Sequence, residues 1–123
     1  MNIRICGTGS ALPERKITND DLSQIMDTSD EWISSRTGIK TRHLATEETT
    51  TSLATEAAKK ALADADMKPE EVELIIAATV TPDHLVPTLS CEVQREIGAV
   101  NAVAFDPVSY THLRAHETPE HLV

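Results

Sequence analysis

Two cysteines, a group of histidines near the C-terminus and one Gly-x-Gly loop are the places where this sequence could do chemistry. Cys6 and Cys91 show no Cys-x-x-Cys spacing and are too few for a disulfide framework. Cys6 falls inside a run that reads as a strand, and Cys91 lies on an apolar helix face. Each is expected to be a buried small hydrophobe rather than a nucleophile. His112 and His116 stand four positions apart, with Glu117 next and His121 beyond. On a helix that spacing lets two imidazoles share a zinc ion. The order is HxxxHE, however, and the glutamate that follows the first histidine in HExxH is missing, so no metal site is assigned. Gly7-Thr8-Gly9 is a lone Gly-x-Gly. Leu12-Pro13 stands where a dinucleotide-binding loop would bring a third glycine and open a helix, so these glycines read as a tight strand end.

The elements that must hold these residues follow from spacing and punctuation. Ile3 to Leu12 alternates in part and meets Pro13, the pattern of a strand closed by glycine and proline. Thr18-Asn19-Asp20 is an N-cap signal ahead of DDLSQIM. Ser29 precedes Asp30 and Glu31 and opens a second helix that runs to Gly38, a C′ glycine. Ile39 to Leu44 reads as a short extended piece. Thr51 to Asp66 is the clearest helix, with Leu53, Ala57, Ala61, Leu62 and Ala65 on one face and Glu56 and Lys60 paired at i,i+4. Lys68-Pro69-Glu70 ends it. Val72 to Val80 is a continuous apolar run, as expected of a strand covered on both faces. Pro87 to Gly98 reads as a further helix and Ala99 to Phe105 as a last strand. Alternation of this kind implies an α/β fold with a parallel or mixed sheet and helices on its faces.

Composition sets outer limits. Hydrophobic residues make up 40 % and charged residues 25 % of the 123 residues, which excludes a wholly disordered chain. Twenty acidic residues against eleven basic ones give a net charge of −9. A nucleic-acid partner and an anionic lipid surface both call for a basic face, so neither is expected. No apolar run approaches the roughly 20 residues of a membrane span, and the N-terminus has no signal-peptide pattern. With this cysteine usage, a reducing cytoplasm is the expected compartment.

Residues 1–106 resemble the N-terminal part of β-ketoacyl-acyl-carrier-protein synthase III, the condensing enzyme that starts bacterial type II fatty-acid synthesis. The resemblance is carried by GTGSALPE (Gly7 to Glu14), TNDDL (Thr18 to Leu22) and above all DTSDEWISSRTGI (Asp27 to Ile39). It continues through TSLATEAAKKAL (Thr51 to Leu62), IIAATVTPDHLVPTLSC (Ile75 to Cys91) and AVAFD (Ala102 to Asp106). It implies an incomplete thiolase-like fold: part of an N-terminal half whose mixed five-stranded sheet carries helices on both faces. It also implies a reaction in which acetyl-CoA acylates a cysteine and the acyl group condenses with malonyl-acyl-carrier protein, releasing CO2. A thiolate suits that step as a strong nucleophile and a tolerable leaving group. The coenzyme A thioester is then a substrate and no cofactor is required. The partners implied are an acyl-CoA, acyl-carrier protein and a second copy of the chain in a homodimer.

By the same resemblance Trp32 stacks on the CoA adenine, Arg36 serves the same nucleotide end, and Thr28 and Thr37 line that pocket. A guanidinium fork suits phosphate. Val86 stands where many members carry a phenylalanine that reaches across the dimer into the acyl pocket, so a different primer is open. Read as residues alone, Trp32 would be a packed side chain and Arg36 would neutralise Asp30 or Glu31. Arg36, Lys40 and Arg42 are the few cations available to an acidic carrier protein near the implied entrance.

The sequence departs from the family after Asp106. The nucleophilic cysteine should fall five residues on, where Thr111 stands, and no cysteine follows Cys91. The catalytic histidine and asparagine belong to the family's second half, so no catalytic residue is assigned. Residues 107–123 hold three of the five histidines and fit no element of the alternation. VSYTHLRAHET (Val108 to Thr118) matches one reading frame of a transposase adapter used in sequencing-library preparation, and the tail is read as non-native. Three functions follow as expectations: a condensing-enzyme fragment inactive by itself, a non-catalytic module binding CoA or another adenine nucleotide, or a piece of a related polyketide-type synthase.

Overall fold

The computed structural model describes residues 3–107. These form two compact units, one of residues 12–48 and one of residues 3–11 with 49–107.

In the unit of residues 12–48, strands β1 (Lys16–Thr18) and β2 (Thr41–His43) pair antiparallel, with Ile17 opposite Arg42. Helices α1 (Asn19–Ser23) and α2 (Asp30–Thr37) connect them. Local chemistry starts both helices. The Thr18 hydroxyl accepts from the Asp21 N–H at 3.1 Å while the Asp21 carboxylate accepts from the Thr18 N–H at 2.7 Å, a reciprocal capping box. Those bonds to Thr18 hold the Asp21 carboxyl below its ordinary range. Ser29 accepts from the Trp32 N–H at 3.1 Å. Gly38 ends α2 at φ 71°, the left-handed conformation that a side chain would strain. Ile33 is the buried apolar anchor of α2.

In the other unit, α3 (Thr50–Asp64) and α4 (Leu89–Ile97) pack on each other, and α4 packs on a parallel strand pair, β3 (Leu74–Ile76) with β4 (Val103–Phe105). A short 3-10 turn at Pro69–Glu71 separates α3 from β3. Leu89, Val93 and Ala99 are its buried apolar residues. Glu56 and Lys60 pair at 2.6 Å on the open face of α3 as their spacing requires. Two carboxylates from distant loops cap the helices. Asp83 accepts from the N–H groups of Thr50 (2.9 Å) and Thr51 (2.7 Å), and Asp106 accepts from those of Leu89 (3.0 Å) and Ser90 (2.9 Å). No helix among the described residues is long and apolar enough to cross a membrane.

Several expectations are corrected here. Residues 3–12 form no strand, because no described strand offers them a ladder. The segment instead runs along α3: the Thr8 N–H donates to Asp64 at 2.9 Å and the Lys60 ammonium to the Ser10 carbonyl at 3.0 Å. Gly7 and Gly9 permit that approach. A Cβ on Gly7 would lie 2.6 Å from the Ala61 carbonyl oxygen, and one on Gly9 would run into that of Ala57. Of the mixed sheet implied by the resemblance, the described residues hold one parallel pair, while β1 and β2 form a separate two-stranded ribbon. The apolar run of β3 is covered on one face only: Ile75 and Ala104 are half-buried, whereas Leu74, Ile76, Val103 and Phe105 are exposed. Cys6 and Cys91 are exposed rather than buried. Cys6 lacks the sheet that would cover a strand residue, and on α4 the inward positions belong to Leu89, Ser90, Glu92 and Val93.

Candidate functional site

The Ser29 cap fixes the first turn of α2 and thereby places Trp32. Arg36 follows at i+4, on the same face of the helix. Its guanidinium carbon lies 4.9 Å from the centroid of the Trp32 ring, within cation–π range. Trp32 remains 55 % exposed, so it is no core residue. Among the described residues Arg36 forms no ion pair, and the neutralisation of Asp30 or Glu31 weighed from the sequence is not what the side chain does.

Asp27, Thr28, Ser29 and Trp32 line a recess of about 360 Å³. The Thr28 hydroxyl is buried and has no hydrogen-bond partner among the described residues. A buried hydroxyl in that state is free to donate to, or accept from, a polar edge entering the recess. Thr37 is different. Its hydroxyl donates to the Ile33 carbonyl at 2.8 Å and accepts from the Ile39 N–H at 3.1 Å. It closes the end of α2 and is not among the residues that line the recess. The resulting arrangement offers a flat aromatic face, a delocalised cation and an unfilled hydroxyl. Among the residues that line the recess there is no thiol or imidazole, and Asp27 is the one carboxylate.

By its sequence pattern Asn19 is only part of a capping signal. Its side chain is buried and bridges Asp30, Ile39 and Arg42. The Asp30 carboxyl is held below its ordinary range, first by the hydrogen bond from Asn19 and then by that from Ser34. No local pattern marks such a residue, since its partners lie 11 to 23 positions away.

Val86 belongs to the unit of residues 3–11 and 49–107, on the loop before α4, and is 87 % exposed. The base of that loop is tied down. Asp83 caps α3, the Thr50 hydroxyl donates to the Thr81 carbonyl at 3.2 Å, and His84 Nδ1 lies 3.0 Å from the buried Glu92 carboxylate. Among the described residues no group of three or more His, Cys, Asp or Glu side chains could hold a metal ion. Thr111, His112, His116 and His121 lie outside the described residues, as does the tail reading as a whole.

No protein-family model matches the chain. It is 53 % identical over 105 residues to the β-ketoacyl-[acyl-carrier-protein] synthase III of Clostridium acetobutylicum, covering 85 % of this chain and 32 % of that protein. The synthase III of Caldanaerobacter subterraneus is 57 % identical over 103 residues, 83 % of this chain and 31 % of that protein. Among solved structures, 3-oxoacyl-[acyl-carrier-protein] synthase III from Aquifex aeolicus matches with a TM-score of 0.83 at 52 % identity, over 85 % of this chain and 34 % of that one. The priming β-ketosynthase of the R1128 polyketide pathway matches with a TM-score of 0.82 at 36 % identity, over 85 % of this chain and 32 % of that one. The fold is therefore α/β and thiolase-like, present in part. The chain spans about a third of the length of the curated relatives it matches. Over nearly all of its described residues, then, the chain matches a part of β-ketoacyl-[acyl-carrier-protein] synthase III at high identity.

Proposed function

We propose that this chain carries the coenzyme A nucleotide-recognition segment of a condensing enzyme. The reaction of the complete enzyme joins acetyl-CoA to malonyl-acyl-carrier protein and yields acetoacetyl-acyl-carrier protein, CO2 and free CoA. The observation that carries this reading is the Trp32 ring with Arg36 over it, beside the unpartnered Thr28 hydroxyl. An adenine stacks on the exposed indole, Thr28 serves a polar edge of the base, and the Arg36 fork takes a phosphate. Stacking and charge together favour a nucleotide over a free base. The 123-residue chain binds and does not condense, because no cysteine follows Cys91 and no imidazole stands at the recess. The complete enzyme works as a cytoplasmic homodimer with acyl-carrier protein as its second partner.

Calorimetric titration of the 123-residue chain with CoA, and with adenosine, tests this. Weak CoA binding that exceeds adenosine binding and is lost in Trp32→Ala is the expected result. Equal affinities for wild type and Trp32→Ala, or acetoacetyl-acyl-carrier protein formed by the chain alone, would overturn it.

A second reading has one observation in its favour. The polyketide priming β-ketosynthase matches the fold as well as the fatty-acid enzymes do, and Val86 is a small side chain for a primer-pocket position. Restoring the full reading frame from source DNA and comparing acetyl-CoA with longer acyl-CoA primers separates the two. Preference for the longer primers favours the polyketide-type assignment.

A further inference from the structure

We propose that Asn19 is a positioning residue for the Trp32–Arg36 pair, a role that rests on the nucleotide-binding reading above. Asn19 is 1 % exposed. Its Nδ2 donates to Asp30 Oδ1 at 2.7 Å and to the Ile39 carbonyl at 2.7 Å, with the Ser34 hydroxyl at 3.4 Å. Its Oδ1 accepts from Arg42 Nη2 at 2.8 Å. Both amide hydrogens are thus in use, and the carbonyl oxygen is partnered.

The three partners bracket α2. Asp30 is the first residue of that helix, and Ile39 follows the Gly38 cap that ends it. Arg42 lies on β2. A single side chain therefore ties both ends of α2 and joins them to the strand. The helix needs such ties. At eight residues it is too short to persist in water by itself, and Ile33 is its one buried residue. Trp32 and Arg36 project from its exposed side. If the helix rotates or frays, the ring, the guanidinium and the recess beside Thr28 lose their mutual geometry.

The chemistry at the position is specific to an uncharged amide. It must donate to a carboxylate on one side and accept from a guanidinium on the other. The charged groups facing it are Asp30 from α2 and Arg42 from β2, and Lys40 acts on Asp30 from the link between those elements. Arg42 Nη1 is buried without a partner among the described residues, so the bond from Nη2 to Asn19 matters all the more to that guanidinium. A carboxylate at position 19 would face Asp30 across a hydrogen-bond distance. The two acids would then hold one proton between them at a raised pKa, and the protonated form would recover one of the two lost donors, the one toward Asp30.

That pH response distinguishes positioning by hydrogen bonds from packing alone. CoA binding by the 123-residue chain is measured by calorimetry at about pH 8 and about pH 5, on either side of the range where such a coupled acid pair titrates. The variants are Asn19→Ala, Asn19→Asp and Trp32→Ala, with circular dichroism to confirm folding. Expected is a loss of about tenfold or more in CoA affinity for Asn19→Ala. Asn19→Asp is expected to be equally weak at the higher pH and to recover toward wild type at the lower, relative to wild type at each pH. A folded Asn19→Ala with wild-type affinity, or an Asn19→Asp variant with no recovery, would overturn the proposal. If Asn19→Ala does not fold, Asn19→Asp carries the test. If Trp32→Ala leaves CoA binding unchanged, the nucleotide reading fails by itself, and the anisotropy of Trp32, the single tryptophan of the chain, decides instead. Lower anisotropy in Asn19→Asp at the higher pH, restored at the lower, supports positioning of α2; no change overturns it.

Discussion

The Asp106 carboxylate accepts from the Ser90 backbone N–H at 2.9 Å, and so a residue beyond the end of β4 caps the first turn of α4. A second oxygen takes the Leu89 N–H, while Thr88, the residue at the cap position, makes no side-chain cap bond at all. The helix N-terminus is thus satisfied through tertiary structure, and the bond locks strand end to helix start. Asp106→Ala is expected to lower stability by about 1 kcal/mol, or roughly 4–8 °C in Tm for a chain of this size. Asp106→Asn keeps an acceptor and should lose less. A thermal melt of Asp106→Ala that overlays wild type would contradict this account of the cap.

Gly7 and Gly38 are glycines for different reasons, and substitution should separate them. A Cβ on Gly7 would sit 2.6 Å from backbone atoms of Ala61 and Ala65, which cannot swing aside. Gly7→Ala is expected to cost about 1–3 kcal/mol, the scale of overpacking a tight contact. Gly38 faces open space, and only its φ of 71° resists a side chain. Gly38→Ala should cost roughly 1–2 kcal/mol through left-handed strain, and Gly38→Asn less. Urea midpoints for the three variants give the order; a Gly7→Ala protein as stable as wild type would remove the close-approach argument.

Acid should destabilise the chain most through Glu48 and Asp83, the two carboxylates that native hydrogen bonds depress furthest. Glu48 is lowered to about 2, first by the Thr46 N–H and further by backbone bonds that include Glu14. Asp83 lies well below the ordinary carboxylate range, held first by Thr51 and then by the Thr50 N–H. For a depressed acid the unfolded chain binds the extra proton. The stabilisation is therefore complete above pH 4.5 for Glu48 and is lost as pH falls from there toward about 2. Asp83 adds a loss that begins near 3.8 and extends lower. Denaturant midpoints between pH 7 and pH 3 should fall in wild type, and fall less in Glu48→Gln, which starts lower. Parallel profiles for the two proteins would show that Glu48 is not the group responsible.

Glu92 is 7 % exposed and takes the Thr51 hydroxyl at 2.9 Å on one oxygen and His84 at 3.0 Å on the other. Removing it would leave a Thr51 hydroxyl and a buried space without an acceptor. Glu92→Ala is expected to cost about 1–3 kcal/mol. Glu92→Gln keeps an acceptor and should cost less. Because His84 anchors the loop that carries Val86, hydrogen exchange in residues 81–88 should speed up in Glu92→Ala more than exchange in α3. Uniform acceleration across both would mean that Glu92 acts on global stability alone.

What the residues determined by themselves was local. The Thr18 and Ser29 caps, the Gly38 C′ glycine, the body of α3 and the Glu56–Lys60 pair all depend on partners within one helical turn, and all were legible. The alternation of apolar runs implied a parallel or mixed sheet, and the parallel pair of β3 with β4 meets that in part. The tryptophan and arginine at i,i+4 were named by the resemblance and not by the residues alone, and neither showed which of the neighbouring threonines lines the recess. Tertiary structure decided that, by giving the Thr37 hydroxyl to the end of α2 and leaving Thr28 unfilled. It also decided that Ile3 to Leu12 has no ladder, that Cys6 and Cys91 face outward, and that Asp83, Asp106 and Asn19 cap and tie elements far from them in the chain. A helix cap or a period is set by bonds that close within a few residues. A strand, a burial state or a polar clamp exists only where distant residues meet, and one local sequence is compatible with many such meetings.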